Sequence, residues 1–376
     1  MKMFALYLFG FLALSTAARA DDGHAFPTLP VGSTAPDFSL PGVDGKNHTL
    51  KEFASAKVLA IVFTTNHCPT SQAYEDRLKK IAKDYQKKGV TLVAISPSDP
   101  AGVRPDELGY TDLDDNLESM KIRARDRKFN FPYLYAGDKY QGMAKAYGPT
   151  ATPHAFVFDA ERKLRYVGRI DDSERVNKVK THDLRNAIDA LLAGKPVAVA
   201  QNKAFGCSTK WAEKSGEVTA FWDKVNAQPV SIEVANADVL KGLRKGKPGV
   251  VKLINVWATW CGPCAAEFPD LMNVHLNFKH RDFELITVAA QFPDEQPAVL
   301  KFLKKHHAAT RNLIFSDDDK YKLMEAIDPK WDGALPYTLL IDPSGKVLYR
   351  KMGGIDFLQL RRALLPALDK TTPWSG

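Results

Sequence analysis

The strongest constraint on the fold is a long internal repeat. Twice in 376 residues the chain runs through one order of elements. A short apolar stretch leads to a cysteine and a long helical pattern. Much later come a proline, a second apolar stretch, a turn, a third stretch and a closing helix. In the first copy, residues 58–64 are apolar and rich in branched side chains, which predicts a buried strand that stops at Cys68-Pro69. Residues 70–88 place Ala73, Leu78, Ile81, Ala82 and Tyr85 on one side of a helix, and Gly89 ends it. Residues 90–96 form the next strand, residues 114–128 a helix within a polar excursion, and residues 155–158 and 164–167 a hairpin, before a last helix over 182–192. The second copy predicts a strand at 250–257, a helix at 264–279, a strand at 283–289, a helix at 295–306, a hairpin from 337–341 and 347–350, and a closing helix at 357–368. Cys68 and Cys261 are 193 residues apart, and Pro153 and Pro336 are 183 apart. A period this long means duplicated domains, not a solenoid. Strands that alternate with helices and end in a hairpin predict an α/β fold, with a mixed central sheet flanked by helices in each half. The expected boundaries are 31–194 and 238–370, joined by a linking or capping segment at 195–237 that carries Cys207.

Residues 1–20 read as a secretion signal. Lys2 gives the positive start, residues 4–14 are almost wholly apolar, and Ala18-Arg19-Ala20 supplies the small-x-small cleavage pattern. The apolar run falls short of the ~20 residues needed to span a bilayer, and nothing later reads as a transmembrane helix. The expectation is a periplasmic or secreted protein with no stable membrane insertion after cleavage. Removing this segment takes the formal charge from +8 to +6, because it holds two basic residues and no acid. Basic residues elsewhere are interleaved with acids, so the charge reads as a solvated surface and not as a nucleic-acid site. With 45% hydrophobic and 26% charged residues, the chain is not wholly disordered.

Four cysteines, Cys68, Cys207, Cys261 and Cys264, are too few for a disulfide-stapled scaffold of this size. Trp260-Cys261-Gly262-Pro263-Cys264 sits at a predicted strand-to-helix junction. There the free N–H groups and dipole of the helix start stabilise a thiolate at Cys261, and Cys264, one turn on, can resolve a mixed disulfide. Zinc usually needs four ligands, and there is no second C-x-x-C. A purely structural bridge would close too short a loop to contribute much. The expected metal and cofactor content is none.

The stretch from Asn255 to Cys264, followed by Glu267-Phe268-Pro269, resembles the thioredoxin superfamily, in particular its exported TlpA/ResA-like branch. Leu335-Pro336 matches that family's cis-proline position. The resemblance, over about 239–368, implies that an extended substrate can pair with the backbone there, and that Trp260, Gly262, Pro263 and Pro336 shape the substrate surface. Asn255 stands where cytosolic thioredoxins hold a buried acid.

The first half carries Thr64-Thr65-Asn66-His67-Cys68-Pro69-Thr70-Ser71, a single cysteine at the equivalent junction with Ser71 at the second position. Cys68 is either a reactive thiol in the helix field or an inert buried one. From Val31-Gly32-Ser33-Thr34-Ala35-Pro36-Asp37-Phe38 to about Lys210, this half resembles the peroxiredoxin-like (AhpC/TSA, redoxin) group. It shares Asn66-His67-Cys68-Pro69, Asn130-Phe131-Pro132-Tyr133-Leu134, Thr152-Pro153 and Gly168-Arg169-Ile170-Asp171-Asp172. Ala151 stands where related chains often have a cysteine. The family's peroxide site uses a Thr, a Pro and an Arg; Thr65 fits the first, but Ile61 and Pro153 occupy the other two places. Thr65 and Pro153 remain the expected substrate contacts of Cys68. His67 and His154 flank the site if Pro153 is cis; a copper site from these and Cys68 lacks the usual two-cysteine loop. Cys207, in Phe205-Gly206-Cys207-Ser208-Thr209-Lys210-Trp211, is either the resolving partner of Cys68 or a thiol in a capping segment.

The expected architecture is two tandem thioredoxin-like folds. The expected function is exported thiol–disulfide exchange on protein thiols and disulfides through Cys261 and Cys264, with an external reductant. Two alternatives stand beside it. One is a thiol-dependent peroxidase using Cys68, recycled by the C-x-x-C. The other is a first half that holds clients without chemistry.

Overall fold

The computed structural model describes residues 26–374. The expected signal segment and its cleavage site therefore lie outside the described residues. In the first half, β1 (Ser39–Pro41) and β2 (Asn47–Thr49) form a small hairpin. There follow β3 (Val58–Phe63), α1 (Pro69–Gln86), β4 (Val90–Ser96), α2 (Leu117–Arg127), β5 (Tyr133–Tyr135), α3 (Gln141–Tyr147), β6 (Ala151–Thr152), β7 (His154–Phe158), β8 (Leu164–Gly168) and α4 (Asp183–Leu192). The main sheet has the order β5-β4-β3-β7-β8, with β3, β4 and β5 parallel and β7 and β8 antiparallel.

The chain continues through β9 (Cys207–Ser208), α5 (Ser215–Asn226), β10 (Glu233–Ala235), α6 (Ala237–Leu243), β11 (Val251–Trp257), α7 (Gly262–Phe278), β12 (Phe283–Ala289), α8 (Gln296–Lys305), β13 (Arg311–Phe315), α9 (Lys320–Ile327), β14 (Tyr337–Ile341), β15 (Val347–Met352) and α10 (Phe357–Thr371). The second sheet has the order β10-β13-β12-β11-β14-β15. Its five strands from β13 to β15 repeat the first sheet in order and direction. Within the segment expected to join the halves, β10 pairs with β13 and extends the second sheet by one strand. Both halves thus have the mixed, helix-flanked sheet of a thioredoxin-like fold.

The central strands are mainly apolar because both faces of each sheet are covered, with Lys252 and Asn255 buried in β11 as exceptions. In β3, Val58, Ala60 and Val62 face one core cluster, while Leu59, Ile61 and Phe63 face the other. In β11, Val251, Leu253 and Trp257 face one cluster, and Ile254 and Val256 the opposite one. This two-residue alternation sends each strand's bulk to both sides of its sheet. No helix among the described residues is long and apolar enough to cross a membrane.

The halves meet where the polar loop after β4 touches α7 and α10. His280 Nε2 pairs with Asp106 (2.9 Å), Arg361 with Asp114 (3.0 Å) and Arg362 with Asp112 (2.9 Å). Arg281 is buried there and donates to the carbonyl of Gly109 (3.0 Å). His280 and Arg281 follow the C-terminal end of α7. Its 17 residues span about 25 Å at 1.5 Å per residue, so the cysteines at its N-terminus lie far along the helix from these contacts.

Candidate redox sites

In the second half, β11 delivers the chain to Cys261, which caps α7, and Pro263 lies in the first turn. Proline is suited to that turn because its missing N–H would have had no helical partner. Cys261 and Cys264 form a disulfide, with Cα atoms 5.2 Å apart, and the Cys264 N–H donates to the Cys261 sulfur (3.3 Å). Both cysteines are largely buried, while Trp260 beside them is 69% exposed. The Leu335–Pro336 peptide is cis, as the sequence resemblance implied.

An acid does stand beside Asn255, although sequence reasoning assigned it no role. The Asn255 amide donates to Thr338 Oγ1 (3.0 Å) and to Glu267 Oε1 (3.5 Å). Glu267 Oε2 accepts the Ile355 N–H (2.9 Å). Burial pushes the Glu267 carboxyl above its ordinary range, against the pull of these two hydrogen bonds. The available signal was its spacing, three residues after Cys264 and so on the same side of the helix.

In the first half, Cys68 caps α1 and is wholly buried. Its sulfur accepts the N–H groups of Ser71 (3.4 Å) and Cys207 (3.4 Å), and as a thiol it donates to the Thr152 carbonyl (3.0 Å). The Thr152–Pro153 peptide is cis. β9 pairs antiparallel with β6, setting Thr152 opposite Cys207 and Ala151 opposite Ser208. The structure therefore brings Cys68 and Cys207 together. Burial opposes a charge on Cys68. The Cys207 thiol hydrogen bond, the positive charge of His67 and the two N–H groups outweigh it and pull the Cys68 thiol down to about 5. The same hydrogen bond, with burial, pushes the Cys207 thiol up.

His67 is buried, and its Nδ1 pairs with the buried carboxylate of Asp115. Asp115 also accepts the N–H groups of Asn66 (2.8 Å) and His67 (3.1 Å). Burial disfavours both charges, but each group holds the other ionised: His67 rises and Asp115 falls from its ordinary value. The Nε2 atom of His67 is buried without a hydrogen-bond partner. Asp115 lies 48 residues beyond His67, and sequence reasoning did not connect them.

Of the remaining expected residues, Thr65 meets Thr152, hydroxyl to hydroxyl (3.3 Å). His154 accepts the Thr150 N–H at Nδ1 (3.2 Å) and packs on Phe156. Ile61 lies within the core face of β3. Among the described residues, no group of three or more His, Cys, Asp or Glu is arranged to hold a metal ion.

A curated relative, the thiol-disulfide oxidoreductase ResA of Bacillus subtilis (strain 168), is 36% identical over 104 residues, which is 28% of this chain and 52% of the relative. The thiol:disulfide interchange protein DsbE homolog of Paracoccus denitrificans is 34% identical over 125 residues, 33% of this chain and 62% of the relative. This chain thus spans a little over half the length of these two relatives. Among solved structures, a hypothetical protein from Sinorhizobium meliloti 1021 is 36% identical, covering 50% of this chain and 97% of that one, with a TM-score of 0.43. The Redoxin family model matches residues 30–188 and again 226–357, so it takes in both cysteine sites except Cys207. Two helix-flanked mixed sheets, each with a cysteine capping the helix after its central strand, accord with that double match, and the chain belongs to the Redoxin family of the thioredoxin superfamily.

Proposed function

We propose that this chain exchanges disulfides with protein thiols through Cys261 and Cys264. The observation that carries this reading is the Cys261–Cys264 disulfide at the start of α7, with exposed Trp260 on one side. The names of the relatives, thiol-disulfide oxidoreductase and thiol:disulfide interchange protein, support it. In the reducing direction, the Cys261 thiolate attacks a substrate disulfide and releases one substrate thiolate. Cys264 then attacks the Cys261 sulfur and expels the second. Two electrons leave the protein, and the disulfide closes. An external dithiol restores the pair by the reverse steps, and relative potentials set the direction. Trp260, Gly262, Pro263 and Pro336 form the surface against which the substrate lies. The setting is extracytoplasmic, periplasmic or secreted, on the strength of residues 1–20.

The test is reduction of a protein disulfide by the full chain. Cys261→Ser should lower the rate at least a hundredfold, and Cys264→Ser should accumulate a mixed disulfide at Cys261. Full activity in Cys261→Ser would overturn the reading. A second reading, a thiol-dependent peroxidase at Cys68, draws on the lowered Cys68 thiol and its contact with Cys207. Hydrogen peroxide turnover that is lost in Cys68→Ser would carry it.

A further inference from the structure

A polypeptide held beside a cysteine of this kind adds an extended strand to exposed backbone, and main-chain hydrogen bonds supply the affinity. In the second half that backbone is at Leu335, since the Ala334 N–H is taken by Asp332 (2.9 Å) and its carbonyl by the Trp331 indole (2.8 Å). Among the described residues no strand pairs with it. In the first half the equivalent backbone, Ala151–Thr152, is already occupied. The occupant is the chain's own β9, antiparallel, with Cys207 opposite Thr152 and its N–H on the Cys68 sulfur.

The flanks of β9 fix it there. Thr209 Oγ1 donates to the Pro149 carbonyl (2.6 Å), Gln141 donates to the Lys210 carbonyl (2.9 Å), and the Lys210 ammonium reaches Glu107 (2.5 Å). Trp211 is buried. Gly206 makes the close approach possible. Its φ is +132°, and a Cβ on it would stand 2.0 Å from the Thr152 carbonyl oxygen. Any side chain at 206 would push the segment off the β6 edge.

We propose that residues 205–209 are a built-in strand in the substrate position of the first site. This closes the first site to polypeptides and leaves it to low-molecular-mass disulfides that enter beside Cys207. The proposal rests on reading both sites as thiol exchangers. Cys68 has no exposed surface, whereas Cys207 is half-buried and lines a cleft of about 520 Å³ with Thr70, Glu174, Arg175, Phe205 and Trp374. Glutathione disulfide is the probe of that class. The Cys68 thiolate draws the proton from the Cys207 thiol that is hydrogen-bonded to it. The Cys207 thiolate so formed attacks one glutathione sulfur to give a mixed disulfide, and the expelled glutathione thiolate takes that proton from Cys68. The Cys68 thiolate then attacks the Cys207 sulfur, forms the Cys68–Cys207 bond and expels the second glutathione thiolate. Two electrons pass from the protein dithiol to glutathione disulfide.

The experiment compares two full-length proteins in reduced form. One is Cys261→Ser/Cys264→Ser, which keeps the first site; the other is Cys68→Ser/Cys207→Ser, which keeps the second. Each is mixed with glutathione disulfide and, separately, with disulfide-scrambled ribonuclease A, and oxidation of its thiols is followed by alkylation and mass spectrometry. The readout is the ratio of the glutathione rate to the polypeptide rate within each protein. The expected ratio is at least tenfold higher for the first-site protein, and Gly206→Ala in that background should lower it at least threefold. Equal ratios in the two unsubstituted sites would overturn the proposal, whether or not the Gly206 variant folds. A first site inert to both probes would overturn it too, by removing the exchange role of Cys68. A second site inert to the polypeptide would overturn the proposed function of Cys261 and Cys264. The proposal would then be overturned as well, because the two sites would not divide their substrates.

Discussion

The backbone N–H of Cys207 points at the sulfur of Cys68 from 3.4 Å, across a pair of strands only two residues long. Cys207 is 139 residues further along the chain, so the contact is a product of the tertiary fold. Mild oxidation of Cys261→Ser/Cys264→Ser protein should therefore give a stoichiometric Cys68–Cys207 cross-link, seen by peptide mapping. A crosslink over a loop this long restricts the unfolded chain by up to about 5 kcal/mol, less any native strain. The oxidised protein should melt several degrees above the reduced one. A map without the cross-linked peptide would sink this expectation.

The charge at Cys68 should be visible in its titration. With Cys261 and Cys264 replaced by serine, the ultraviolet absorbance of the thiolate should persist down to about pH 5 and vanish below it. An ordinary unfolded thiol titrates near 8.5. Between these limits the unfolded state binds more protons at Cys68 than the folded one, so the Cys68 contribution to stability rises with pH. His67, held protonated in the folded state, opposes it above about pH 6.5, so the net rise should be confined to about pH 5–6.5. Cys207→Ala removes the thiol donor and should raise the midpoint by about one to two pH units, the value of one hydrogen bond to a charged group. Asp115→Asn keeps an oxygen for the Asn66 and His67 N–H groups but no longer holds His67 charged, and it too should raise the midpoint. A midpoint that neither variant moves would show that these groups do not set it.

The repeat was legible because buried strands and amphipathic helices leave a periodic signal. β4 begins and ends where residues 90–96 predict, and β3 falls within one residue of its expected end. The helix expected from 114 begins instead at Leu117 for a local reason. The Asp115 carboxylate is drawn to His67 and two N–H groups, and Asn116 takes the cap by accepting the Ser119 N–H (2.8 Å). The His67–Asp115 and Asn255–Glu267 pairs join residues on different elements, where periodicity carries no information. β9 is too short to show alternation at all. The sequence could name Cys207 as a candidate partner, but only the pairing of β9 with β6 places it.

Glu267 gives a test of opposite sign. Its carboxyl titrates above the ordinary range because burial penalises the charged form. That penalty is absent below about pH 4, where the acid is neutral in both states, and it grows as pH rises through the folded value. Glu267→Gln should therefore match the parent in acid and exceed it modestly in melting temperature at pH 7. The gain is small because the group is half-buried and partly solvated. Equal melting temperatures at both pH values would show that hydrogen bonds from Ile355 and Asn255 offset the burial completely.

Arg281 joins the two halves more firmly than the ion pairs around it. Its guanidinium donates to the Gly109 carbonyl (3.0 Å) from one nitrogen, and to Asp369 (2.8 Å) and the Thr372 carbonyl (2.6 Å) from another. It also stacks over the Tyr110 ring, 4.3 Å from the centroid. The side chain is 1% exposed, so its loss would leave the buried Gly109 carbonyl without this donor. Arg281→Met should cost about 2–4 kcal/mol, whereas Arg362→Met, on the rim, should cost less than about 1 kcal/mol. Each half has its own core clusters on both faces of its sheet, so weakening this tie should also let the halves melt separately. Calorimetry should then give two transitions for Arg281→Met and one for the parent. A single transition at the parental midpoint would mean that the halves are coupled through the surrounding charge pairs instead.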